Sequence, residues 1–169
     1  MSELGLEEIA EMLLRSLGVD GERIHIDPEN SSIFVTEVVD LARGDEKKTL
    51  VISVQLLLET DVLLVAAPLL PFPVGLRDKR TLCERLLRAS LSSPLVAFGA
   101  TKDGYVAAFS ELTAGEITSQ NLWRRYGAVL NALAWFLREV LPSEPELEDR
   151  LYREMGVSGV EGAEHKEGS

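Results

Sequence analysis

The first apolar pattern in the chain has a helical period. At 100° per residue Leu6, Ile9, Ala10, Leu13, Leu14 and Leu17 share one face, and Glu7, Glu8, Glu11 and Arg15 lie opposite. This predicts a helix over Glu3–Leu17, with Gly18 placed to cap its end. The period then changes to two. Ile24–Ile26 is a short candidate strand closed by the turn Asp27-Pro28-Glu29-Asn30, and Ile33–Leu41 is rich in β-branched residues. Ala42–Lys48 reads as a polar turn. Thr49–Leu58 alternates cleanly, with Leu50, Ile52, Val54, Leu56 and Leu58 on one side and Thr49, Ser53 and Gln55 on the other. Such alternation marks an antiparallel strand with one face buried. After the turn Glu59-Thr60-Asp61 the chain returns through Val62–Ala67, which completes a meander.

Pro68, Pro71 and Pro73 cannot donate to a sheet ladder, so the segment is expected to end the sheet and lead to a second helix at Asp78–Ser90. Leu82, Cys83, Leu86, Leu87 and Ala89 form its apolar face. Leu95–Thr101 and Tyr105–Glu111 follow, joined through Lys102-Asp103-Gly104, and an Asp-Gly pair between apolar runs signals a hairpin. A third helix runs to Leu141 and stops at Pro142. Ser143-Glu144-Pro145-Glu146 has the form of a capping box and opens a short helix striped by Leu147, Leu151 and Met155. The expected fold is α+β, an antiparallel sheet with helices on one side, in the order α-β(3)-α-β(2)-α plus a short C-terminal helix. Residues 1–141 form one domain, 142–155 the short helix, and 156–169 a Gly- and Glu-rich stretch expected to be a disordered acidic tail.

Composition narrows the functional classes. Seventeen basic against 28 acidic residues give a net charge of −11, which argues against a protein that works by neutralising phosphates, so no nucleic-acid partner is expected. Residues 142–169 hold eight of the acids and three of the bases, whereas Lys48–Leu112 is close to neutral. The N-terminus carries acids where a secretory leader carries bases, and the longest uncharged stretch, Val62–Leu76, is too short and too proline-rich to span a bilayer. A cytoplasmic protein without membrane contact is the expectation.

The run LLVAAPLLPFPV, the helix and link LCERLLRASLSSPLVAFGATKDGYVAAFSEL, and the long helix after them resemble the YbjN family. Pro71, Phe72, Pro73 and Val74, then Leu91, Pro94, Leu95 and Phe98, carry the resemblance, which covers roughly residues 30–141. Gly75-Leu76-Arg77 departs from the pattern, where a proline and acids are more usual. The YbjN fold is similar to that of type III secretion chaperones of the CesT class. The resemblance therefore implies a homodimer that binds polypeptide and has no catalytic residues to carry over.

No constellation of residues points to catalysis. His25 belongs to an edge strand and His165 to the tail, without Cys or acid at metal-ligand spacing, and Cys83 lacks a His partner. Catalytic, cofactor and metal sites are accordingly expected to be none. Two features suggest contact with another chain. The second helix carries Arg80, Arg85 and Arg88, a basic face in an acidic protein. Trp135 projects from the polar side of the third helix, to be covered either by the Leu147–Met155 helix or by a dimer or partner interface. Leu6, Ile9 and Leu13 of the first helix are further candidates for a polypeptide-binding face. The expected function is a non-catalytic binding module or chaperone-like adaptor. A dedicated secretion chaperone for an exported client is one rival. The other is a sensor or enzyme whose pocket contains at least two carboxylates of raised pKa.

Overall fold

The computed structural model describes residues 4–71 and 79–155. Helix α1 spans Leu6–Leu17 and ends on Gly18, whose φ of 59° is the left-handed conformation a helix cap needs. At its start the Glu8 carboxylate accepts from the Gly5 amide at 3.3 Å. Strand β1 (Ile24–Asp27) follows, and the Asp27 carboxylate closes the next turn by accepting from the Asn30 backbone and side-chain nitrogens. Strands β2 (Ser32–Arg43) and β3 (Glu46–Leu58) form a hairpin in continuous register from Ser32↔Leu57 to Arg43↔Glu46. The polar run 42–48 is thus mostly paired strand. Only Gly44 and Asp45 turn, with Gly44 at φ 61°, and Asp45, Glu46 and Lys47 are exposed at the tip of a long hairpin.

Strand β4 (Val62–Pro71) also runs further than its prolines suggest. It pairs with β3 only over Leu63–Ala66, and beyond that point it has a neighbour on one side alone, strand β6 (Tyr105–Thr113). Proline is tolerated on an open edge, and the register shift between Pro68 and Leu70 lets the strand continue. Phe72–Asp78, which include part of the proline segment and the expected start of the second helix, lie outside the described residues, as does the tail from Gly156.

Helix α2 (Lys79–Ser92) leads to strand β5 (Ala97–Ala100), which pairs with β6. The β5 amide of Phe98 donates to Ser90 Oγ at 2.9 Å, and Ser110 Oγ on β6 donates to the Leu95 carbonyl at 2.5 Å. Helix α3 (Ser119–Trp135) starts on Thr118, whose hydroxyl accepts from the Asn121 amide. It widens into a π turn over Phe136–Val140, tightens to a 3-10 turn over Leu141–Ser143, and passes to helix α4 (Pro145–Met155). Ser143 forms no capping box: its hydroxyl donates to the Val140 carbonyl and accepts from Arg85.

Among the described residues the sheet has six antiparallel strands in the order β1-β2-β3-β4-β6-β5. Alternation decides which face is covered. Ile33 and Val35 of β2, Leu50, Ile52, Val54 and Leu56 of β3, and Leu63, Val65 and Ala67 of β4 are buried under the helices. The core has two parts. One joins α1 and the first half of α3 to the middle of the sheet, through Ile9, Leu13, Leu122, Tyr126 and Val129. The other joins α2, the π turn and α4 to Leu50, Ile52, Leu69 and Val106. Each fully buried Leu or Ile stabilises the fold by about 1.5–3 kcal/mol relative to exposure, so the two clusters suffice to fix the helices on that face.

A polar network enters this interface. Glu37 of β2 faces the helices, where its carboxylate takes the Tyr126 hydroxyl at 2.6 Å and the Arg23 guanidinium. Arg23 also donates to the Thr36 carbonyl at 2.7 Å. Burial and the Glu37 carboxylate together hold the Tyr126 phenol far above its ordinary pKa.

Candidate protein-binding surfaces

Among the described residues no helix lies on the other face of the sheet. A row of side chains crosses all six strands there, His25, Phe34, Gln55, Ala66, Phe109 and Ala97, each registered with the next. Val38 and Val51 pair with one another a few residues along, 58% and 38% exposed. Leu57 and Leu64 pair on the opposite side of the row. Phe34, Leu57, Leu64 and Phe109 are half-buried. The apolar side chains on this face can be covered by a peptide chain, and Thr36, Ser53 and Gln55 lie between them, with Asp40, Lys47 and Glu111 exposed on the same face. His25 is exposed on edge strand β1.

Helix α2 presents three different flanks. Leu82 and Leu86 enter the core, while Leu87 is 63% exposed and Leu91 90%. The place of Leu87 on the apolar face is therefore corrected: the helix is covered over a narrower arc than its pattern implies. Next to Leu87 a hollow of about 200 Å³ opens towards Gly99 and Ala100 of β5, an edge strand with one free side. The arginines are divided among these flanks. Arg80 is paired with Glu84 of its own helix at 3.0 Å. Arg85 donates to Ser143 Oγ at 2.7 Å and to the Glu139 carbonyl, inside the π turn, at 2.9 Å. The Arg88 carbonyl accepts from Ser92 Oγ at 3.0 Å, while its guanidinium makes no hydrogen bond or ion pair among the described residues.

Trp135 is half-buried within the chain itself. Its ring packs against Phe98 of β5, centroids 5.7 Å apart, in a groove between α2 and α3. Helix α4 packs on β3 and β4 instead, with Leu147 and Leu151 buried. Ile9 and Leu13 have no exposed surface and Leu6 is half-buried, so α1 gives its stripe to the core and leaves Leu14 as its exposed apolar residue.

The chain now has a six-stranded antiparallel sheet, helices on one face and an open apolar second face. No family model and no curated protein matches it. Solved structures do. A chain of the HopA1–SchA chaperone–effector complex superposes with a TM-score of 0.53 at 14% identity, over 79% of this chain and 94% of that one. A chain of the heterodimeric ExoU–SpcU complex, from the type III secretion system of Pseudomonas aeruginosa, does so with a TM-score of 0.50 at 16% identity, over 83% and 98%. The fold is that of the type III secretion chaperones.

Among the described residues the carboxylates whose titration the structure displaces are Asp27, half-buried, and Glu116, exposed. Both are held below their ordinary values, by hydrogen bonds from Asn30 and from Thr113 respectively. A pocket built on carboxylates of raised pKa needs the opposite displacement. Among the described residues no three His, Cys, Asp or Glu side chains converge, and Cys83 is half-buried on α2. No described helix is long and apolar enough to cross a membrane. The chain pattern could not reveal the open row on the sheet, because a half-exposed Phe34 or Phe109 looks the same in sequence whether it faces helices or solvent. Leu91 was the one accessible hint, a leucine set among Ser90, Ser92 and Ser93.

Proposed function

We propose that this chain is a non-catalytic, chaperone-like adaptor that acts as a cytoplasmic homodimer and holds a polypeptide partner on the open face of its sheet. The observation that carries the reading is a chaperone fold whose uncovered sheet face bears Phe34, Val38, Val51, Leu57, Leu64 and Phe109. Exposed apolar area of this kind has a cost in water unless something covers it. The dimer contact is assigned to Leu87 and Leu91 together with the free edge of β5, where a second copy related by two-fold symmetry meets the same surface. The YbjN resemblance favours a regulator or adaptor. A dedicated chaperone for an exported client is the second reading, favoured because the HopA1–SchA structure is a chaperone–effector complex and SpcU is seen in a heterodimer with ExoU of a type III secretion system.

Co-expression with the products of adjacent genes tests the reading. A stoichiometric complex that survives gel filtration is expected, and Val38→Glu with Val51→Glu should abolish it without lowering the melting temperature. Failure of every adjacent product to bind, or a complex indifferent to the double variant, contradicts it. Light scattering should return twice the 18.6 kDa chain mass, and the chain mass alone for Leu87→Glu with Leu91→Glu.

A further inference from the structure

The groove that holds Trp135 has a volume of about 620 Å³, within the range of pockets that enclose a ligand. It exists because α2 and α3 face each other there through small residues, Ala89 and Ser92 on one side and Ala128 and Ala132 on the other. Interiors are close-packed, so larger side chains at these positions would have closed the gap. The floor instead stays open and is aromatic, made by the tilted Phe98–Trp135 pair.

The mouth is cationic. Arg85 is immobilised by its bonds to Ser143 and Glu139, yet a guanidinium has five N–H donors, and the remaining ones can meet an anion. The guanidinium of Arg88, three residues on and therefore on the same side of α2, lacks a partner among the described residues. Two guanidinium groups over an aromatic floor are unusual in a chain of net charge −11. They select by charge. A second copy is a poor occupant, because symmetry would bring the same arginines to one another and because Leu87 and Leu91 lie on the other flank of α2.

We infer that this groove is a second docking site, distinct from the open sheet face. It takes a segment of the polypeptide partner with one large apolar side chain flanked by acidic residues. The apolar group stacks on Phe98 and Trp135, and a neighbouring carboxylate bridges Arg85 and Arg88. The inference rests on the polypeptide-binding reading and adds the chemistry of the bound segment.

The test uses the full chain with Trp123→Phe, so that emission reports Trp135. The probe is a capped, labelled ten-residue peptide with Leu-Phe at its centre and two glutamates on each side. Saturable anisotropy with a change in Trp135 emission is expected. The same peptide with lysines for glutamates should bind at least about tenfold more weakly, the worth of one favourable charge contact. Arg88→Glu should reverse that order, and Ala132→Phe should remove binding by filling the groove. Reversal is the readout that survives if the filled variant is unstable. Equal binding of the two peptides, no reversal in Arg88→Glu, or no binding at all overturns the inference. So does displacement of the peptide by dodecanoate as well as by unlabelled peptide, which would mark a site for small amphipathic acids. Loss of dimer mass in Arg88→Glu would show the groove to be a self-contact and would overturn it too. A co-expressed partner that binds Arg88→Glu and the native chain equally removes the groove but leaves the adaptor reading standing, whereas no partner complex at all removes that reading.

Discussion

Replacing Tyr126 by Phe deletes one atom from the centre of the fold and gives a two-part signature. The phenol is 1% exposed and donates at 2.6 Å to Glu37, which keeps Arg23 as its second partner. A hydrogen bond to a charged group contributes about 1.5–3 kcal/mol, and the retained Arg23 pair places the loss at the low end, ~1.5 kcal/mol. For a chain of this size that corresponds to a fall in melting temperature of roughly 3–6 °C. The second part concerns pH. The folded phenol is held above its unfolded pKa, which lies near 10. Its contribution is therefore complete below about pH 10 and is lost as pH rises towards the folded value, at ~1.4 kcal/mol per pH unit. Tyr126→Phe has no such loss. Urea unfolding of both proteins at pH 7, 10 and 11 should show the native chain ahead at pH 7 and its advantage shrinking or inverted by pH 11. Equal stability at pH 7, or a difference that does not change between pH 10 and 11, refutes the account of the Tyr126–Glu37–Arg23 network.

Three other outcomes follow from the packing and the caps. Thr113→Val removes the hydroxyl that donates to the Glu116 carboxylate at 2.8 Å, so the Glu116 pKa should rise towards the ordinary glutamate value in an NMR titration. In the native chain this depressed group favours folding above the unfolded pKa, and that contribution is lost as pH falls through the folded one. Gly99→Ala would place a methyl 3.0 Å from the ring of Phe109, its diagonal neighbour on β6, so that half-buried ring must give by a few tenths of an ångström; urea unfolding should show a loss of up to about 1 kcal/mol. Leu147→Ala empties a fully buried site that anchors α4 to the sheet, costing about 2–5 kcal/mol by the same assay, with a matching gain in hydrogen exchange across Pro145–Met155.

Periodicity made the fold class readable, and tertiary context made the rest unreadable. The alternation of Leu50, Ile52, Val54 and Leu56 reported a real buried face, since period two has no other use in a strand. Local chemistry misled where the partner strand was out of view. Charges in 42–48 look like a loop, but a hairpin tip beyond the core tolerates them while its ladder continues. Pro68 looks like a terminus, but β4 has already lost its β3 neighbour there and needs no donor on that side. The arginines of α2 show the same limit. They read as one basic face, and only the π turn of α3 explains why Arg85 is bound, Arg80 is matched within its helix, and Arg88 is left over. Trp135 reads in sequence as an aromatic on a polar helix side, and inside the chain it meets Phe98. Its cover came from β5, an element of four residues that helical geometry alone could not bring to it.

The adaptor reading is tested most directly by methyl NMR of the full chain, alone and bound to a co-expressed partner. The account predicts intermolecular contacts and shifts at the methyls of Val38, Val51, Leu57 and Leu64 on the open face of the sheet, while the buried methyls of Ile52 and Val54 make no contact with the partner. A bound partner that leaves those four methyls untouched would contradict it.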